Sequence, residues 1–149
     1  MKHSEFINQL EESRIVAAIG EAEKKTSGEI RVYVSHKERH DALAFAKKRF
    51  QQLGMFKTAQ RNAVLIYIVP RTQQFAVLGD IGIHQKCGDD FWKRIADGLS
   101  SGMKEGRFTE AITGAIREIS AVLQKHFPAT GENKNELPNE IAGDRDEAG

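Results

Sequence analysis

Six side chains and a few glycines carry the chemistry that this 149-residue chain offers. The acids occur in Gly28-Glu29, Gly79-Asp80-Ile81-Gly82 and Gly88-Asp89-Asp90, and Arg61-Asn62 adds a guanidinium and an amide. Hard cations collect such groups. Ca²⁺ takes about six to eight oxygens from carboxylates, amides and backbone carbonyls at about 2.3–2.6 Å, and Mg²⁺ takes about six near 2.1 Å. Glu29, Asp80, Asp89 and Asp90 could supply the metal ligands. Arg61, Asn62, Gly79 and Gly82 would bind an anion or support the site. The same residues also have an ordinary structural use: Arg61 pairs with one carboxylate, Asn62 fixes a turn, and Asp89 or Asp90 caps a helix. Their spacing is not that of an EF-hand loop.

Other chemistries find less support. There is no phosphate-binding P-loop, no Cys-x5-Arg and no Asp-x-Asp-x-Thr. The single cysteine, Cys87, excludes a disulfide framework and a multi-cysteine zinc site. The acids at Asp89 and Asp90 would keep its thiol protonated and poorly nucleophilic. His36 and His40 have a transition-metal spacing if helical, but no third ligand accompanies them, and His84 is equally isolated. Lys47, Lys48, Arg49 and Lys57 read as a solvated helix face. A balance of 22 Lys+Arg against 21 Asp+Glu leaves +1, too little for a bulk-charge coat on nucleic acid or anionic lipid. No specific nucleic-acid partner is expected.

The elements that must position these groups follow from periodicity. From Ser4 to Lys25, Ile7, Leu10, Ile15, Ala18, Ile19 and Ala22 mark a helix with one five-residue step, where it could break near Ser13 into two. Thr26-Ser27-Gly28 stops it. Ile30 to Val34 alternates as a strand. Leu43, Ala46, Phe50 and Leu53 form the seam of a helix capped by Asp41, with Lys47, Lys48 and Arg49 mostly outward. Ala63–Val69 is apolar on both faces, so it should be central in a sheet covered above and below. Pro70 to Gln73 is too short for anything but a hairpin into Gln74–Leu78. A helix capped by Asp89 or Asp90 carries Phe91, Trp92, Ile95 and Leu99. A last helix carries Phe108, Ile112, Ala115, Ile119 and Leu123 and ends before Pro128. The order α-β-α-β-β-α-α, with a right-handed crossover between the first two strands, predicts an α/β fold: a three-layer α/β/α sandwich with a small mixed sheet. Residues 1–128 form one domain. Residues 129–149 are too polar to offset their ordering entropy and are expected as a flexible tail.

Strand direction then gathers the chemistry. The starts of strands one and two and the finish of strand three share one rim, which brings Gly28-Glu29, Arg61-Asn62 and Gly79-Asp80-Ile81-Gly82 together. The loop expected to end in Gly88-Asp89-Asp90 leaves from the same place. The run Thr26-Ser27-Gly28-Glu29-Ile30-Arg31-Val32, then Leu53-Gly54-Met55 with Thr58, then Arg61-Asn62-Ala63-Val64-Leu65-Ile66, then Phe75 through Gly79-Asp80-Ile81-Gly82-Ile83, resembles the TPM-domain family, also called the TPM phosphatase family. The match spans Phe6 to Phe127 and is similar to the stand-alone soluble form.

The resemblance implies an α/β/α sandwich and a divalent-cation site, usually Ca²⁺, built from acidic loop residues. By position, the family's Gly-Glu falls on Gly28-Glu29, its Arg-Asn on Arg61-Asn62, and its later acid on Asp89 or Asp90. It also implies an acid phosphatase activity attributed to plant members. The reading favoured here is a Ca²⁺-binding domain, with Mg²⁺ as the other candidate ion, that serves as an interaction or accessory module and docks an unidentified protein. The alternative is metal-assisted hydrolysis of phosphate monoesters through Glu29, Asp80 and Asp90, with Arg61 on the phosphate. No organic cofactor is expected. The start Met1-Lys2-His3-Ser4-Glu5 lacks an apolar signal core, and the longest apolar run, Ala63–Val69, is far short of a bilayer span. The expected address is the cytoplasm, and nothing demands more than a monomer.

Overall fold

Alternation in β1 (Glu29–Val34) and the unbroken apolar run of β2 (Ala63–Val69) put these strands at the centre of a four-stranded sheet. The protein is seen in a computed structural model that describes residues 2–129 and 141–143. The strand order is β3-β2-β1-β4, with β3 at Gln74–Gly79 and β4 at Ala142–Gly143. β1 and β2 are parallel and joined by α3 (Ala42–Gln52). β2 and β3 are antiparallel across the short 3-10 turn Pro70–Thr72. Glu29 lies opposite Ala63, and Val64 opposite Gly79. The two starts and the one finish therefore share a rim, as strand direction requires.

The sheet is covered on both faces, which is why all seven residues of β2 are buried. On one face, α1 (His3–Gln9), α2 (Glu12–Lys25), α4 (Ile81–Lys104) and α5 (Phe108–His126) pack over Ile30, Val32, Val34, Val64, Ile66 and Ile68. On the other face, α3 and the 3-10 turn Met55–Lys57 cover Tyr33, Ala63, Leu65, Tyr67 and Val69. The result is an α/β/α sandwich with a mixed sheet.

Three local details differ from the sequence reading. The first helix breaks at Leu10, which is extended (ψ 133°), at the start of the five-residue step from Leu10 to Ile15. Helix α3 is rotated from its expected phase. Ala42, Ala46, Arg49 and Phe50 face inward, while Leu43 is 48% exposed. The small alanines let the helix lie close to the sheet, and the Arg49 guanidinium lies 5.7 Å from the Tyr33 ring centre and donates to Gln52 Oε1. Third, α4 begins directly after β3. Its cap is Asp80, whose Oδ1 accepts from the Ile81 N–H at 2.8 Å, instead of Asp89 or Asp90 after a loop. Gly88 (φ 75°, ψ 178°) interrupts α4 in a region that favours glycine. The second half then returns along β3. Trp92 covers Gly79 at the strand's finish, and Ser100 and Met103 stand near Gln74 and Phe75 at its start.

Of the segment read as a flexible tail, Ala129 and residues 141–143 are described. Ala142 and Gly143 pair with Tyr33 and Val34 of β1, and Ile141 packs against the core, in a stretch whose composition suggested no packed structure. The rest of that segment lies outside the described residues.

Candidate functional site

Glu29 opens β1 and is only 2% exposed. Its carboxyl is hydrogen-bonded to that of Glu23, in the last turn of α2. Glu23 also reaches the outer edge of β1, where its Oε2 accepts the Ile30 N–H at 3.2 Å. Burial, followed by the hydrogen bond and the charge of Glu29, pushes the Glu23 carboxyl up to about 9. Near neutral pH the pair of acids therefore holds a proton between them.

The neighbouring loops are held rigidly. Thr26 is fully buried, and its hydroxyl donates to the carbonyls of Leu123 and Phe127 and accepts the Gly28 N–H at 3.0 Å. A side chain at Gly28 would collide with Leu123, since a Cβ there would stand 2.7 Å from a Leu123 methyl. Asn62 is 1% exposed. Its N–H donates to the Thr58 hydroxyl at 3.2 Å, and its Nδ2 donates to Ser27 Oγ at 3.2 Å. Asn62 precedes Ala63, the register partner of Glu29, so its amide ties the β1 and β2 starts together.

On the other side of β2, Asp80 is occupied. Arg61 grips it in a two-point pair, Nε to Oδ2 at 2.6 Å and Nη2 to Oδ1 at 2.9 Å, and Oδ1 also caps α4. Arg61 adopts a left-handed backbone (φ 52°), and its carbonyl accepts the Gly82 N–H at 2.8 Å. Gly82 permits that approach, because a Cβ would lie 2.1 Å from the Gln60 carbonyl oxygen. Gly79 serves packing too, under the Trp92 ring. The two glycines support the rim through backbone proximity.

Asp89 and Asp90 follow Gly88 at the start of the second half of α4 and are exposed. Asp89 lies 3.4 Å from His84 Nε2, and His84 Nδ1 accepts the Trp92 indole N–H at 3.0 Å. His84 is thus engaged through both nitrogens by its own helix. Burial, and not the acids next to it, pushes the Cys87 thiol up. His40 lies 3.2 Å from Glu38, and both are exposed.

The structure therefore brings Glu29 together with Glu23, close to Asn62 and Ser27, and places Arg61 with Asp80. Asp89 pairs instead with His84 of its own helix. Among the described residues, no three His, Cys, Asp or Glu side chains gather where they could hold a metal. A hard cation finds its best match in Glu29 and Glu23, two carboxyls held together out of water, and would complete its shell from amide, hydroxyl, carbonyl and water oxygens. Asp80 fits less well, because its oxygens already serve Arg61 and the helix cap. Glu23 was missed in the sequence. The available signal was its position four residues after Ile19 and eight after Ile15, which are both fully buried. An acid continuing a core stripe must meet a partner.

A family model described as the TPM domain matches residues 1–122. Among solved structures, the chain is similar to BA42 from the psychrophilic bacterium Bizionia argentinensis, an NMR structure. The two are 36% identical over 89% of this chain and 92% of that one, with a TM-score of 0.82. The N-terminal domain of a P. gingivalis protein, 16% identical over 83% of this chain and 76% of that chain, shares the fold at a TM-score of 0.55. No curated protein matches the chain.

Proposed function

We propose that this chain, which belongs to the TPM-domain family, is a divalent-cation-binding domain that acts as an interaction or accessory module. The observation that carries the reading is the Glu23–Glu29 pair. Two carboxyls in one poorly hydrated place cannot both ionise unless a positive charge joins them. Near neutral pH a proton does this work. A divalent cation would replace the proton and let both acids ionise. Ca²⁺ suits the site better than Mg²⁺, because it accepts irregular oxygen sets that include amide and hydroxyl donors. The Asn62 amide and Ser27 hydroxyl stand at the same strand starts. Bound there, the ion would tie α2 to β1 and stabilise the domain by mass action.

Calcium titration by calorimetry in two buffers of different ionisation enthalpy tests this. Saturable binding with release of about one proton near pH 7 is expected, together with a rise in melting temperature. Glu29→Gln should abolish both, and Asp89→Asn should change neither. Wild-type protein that binds no Ca²⁺ or Mg²⁺ would refute the reading. Turnover of p-nitrophenyl phosphate in the same samples separates module from hydrolase. Metal binding without turnover supports the module. Metal-dependent turnover lost in Glu29→Gln would instead assign metal-assisted hydrolysis.

A further inference from the structure

We propose that the outer edge of β3, with the apolar cavity beside it, docks an extended peptide segment of a partner protein. The peptide would add to the sheet as a strand, insert one apolar side chain into the cavity and place a carboxylate near Lys104. This inference is independent of the cation reading, because the cavity lies at the opposite end of the strands from Glu29.

The hydrogen-bond phase of the hairpin carries the first half. The Asp80 N–H donates to the Ala63 carbonyl at 2.9 Å, continuing the register that sets Leu78 opposite Leu65 and Ala76 opposite Tyr67. In an antiparallel pair the inward bonds fall on alternate residues. Gln74, Ala76 and Leu78 therefore bond to β2, and Phe75, Val77 and Gly79 turn their N–H and C=O groups outward. Among the described residues, no backbone hydrogen bond occupies these outward groups. The opposite edge differs, since Glu23 accepts the Ile30 N–H and β4 pairs with Tyr33 and Val34. Exposed edges are usually guarded by charge, proline or a bulge. β3 reads QFAVLG, with no charge and no proline, and pairs in unbroken register.

The second half is the cavity of about 340 Å³ at the Gln74 end of the strand, bounded by Phe6, Ile68, Phe75, Met103 and Phe108, with exposed Lys104 on its wall. It is near the lower end of the range for ligand pockets, roughly 300–1,000 Å³. A residue of an added strand that shares the face of Phe75 would stand next to it, against Met103. Main-chain pairing gives affinity in this mode, and the pocket gives selectivity. A second copy of the chain suits the edge poorly. Its own Phe75 and Val77 pack against its own core, so none of its strand side chains is free to fill the cavity. A separate peptide has free side chains, and Lys104 adds charge complementarity for an acidic residue or a chain-terminal carboxylate.

Fluorescence anisotropy with a labelled library of short Thr/Val-alternating peptides tests the idea. One position is Leu, Phe or Met, and each peptide ends in a free carboxylate, an internal Glu with an amidated end, or an amidated end alone. Saturable binding is expected for apolar-anchored peptides carrying a carboxylate. The preferred carboxylate arm identifies its source. Val77→Pro, which deletes an outward donor and blocks the edge, should weaken binding roughly tenfold or more, as should Met103→Glu in the cavity. Asp89→Asn, in the exposed second half of α4 away from the cavity lining, should bind as wild type. Circular dichroism checks the fold, and if Val77→Pro does not fold, Met103→Glu decides. In amide exchange, Phe75, Val77 and Gly79 should be unprotected alone and protected with peptide. Absence of saturable binding across the library would overturn the proposal. So would a concentration-dependent dimer in which these amides are already protected.

Discussion

Asp80 and Glu29 sit at one rim of one sheet, both more than nine-tenths buried, in opposite company. Asp80 has a guanidinium and a helix N-terminus. Glu29 has another acid. Asp80 is thus neutralised by fixed protein charge and holds the start of α4, whereas the Glu23–Glu29 pair holds a proton, which can be exchanged. Burial of an acid therefore does not distinguish a structural group from a binding group. What distinguishes them is the second acid, which brings an exchangeable proton to Glu29 where Asp80 meets a guanidinium.

The Asp80 side breaks most easily at its backbone. Gly82→Ala forces a methyl against the Gln60 carbonyl and should cost about 3 kcal/mol, at the top of the overpacking range, measured by urea unfolding. Asp80→Ala comes next. Its lost helix cap alone should cost about 0.5–2 kcal/mol, whereas Asp80→Asn keeps an acceptor for Ile81 and should lose less. If Asp80→Ala were instead neutral, the contrast between the two acids would fail.

The most diagnostic effect is a slope. Unfolding returns Glu23 from about 9 to the ordinary carboxylate value of 4.5. Between those two values the folded state binds more protons than the unfolded one, so this group's contribution is complete below 4.5 and is lost as pH rises toward 9. Glu23→Gln keeps a neutral donor for Glu29. Its melting temperature should therefore fall less than that of wild type between pH 5 and 9. Parallel curves for the two proteins would deny the shared proton.

Much of the architecture was legible because strand pairing is a problem of direction. Ala63–Val69 had to be central because it is apolar on both sides, and a hairpin of four connecting residues could only reverse the chain. With the helical crossover that makes the first two strands parallel, these inferences place Glu29, Arg61, Asn62 and Asp80 on one rim. Partner choice within the rim was less legible. Arg61 pairing with a carboxylate was one of the two readings open from sequence, and the structure selects Asp80 as that carboxylate. Asp89 and Asp90 lost the capping role because a capping acid directly after β3 starts the helix nine or ten residues earlier than the apolar pattern suggested. The burial of Arg49 and exposure of Leu43 turned on the rotation of α3 over the sheet, which a seam with alanines at two turns leaves free to vary.

Periodicity and connection length, then, were enough to determine which strands are parallel, which is antiparallel and which residue sets share an end, because these follow from local geometry and chain reach. Tertiary structure alone decided that Glu23 meets Glu29, that Arg61 occupies Asp80, and that, among the described residues, one sheet edge is covered while the other is not. Those outcomes depend on the side on which α2, α4 and β4 return to the sheet. That is set by the sum of many distant contacts, and no short stretch of residues encodes it.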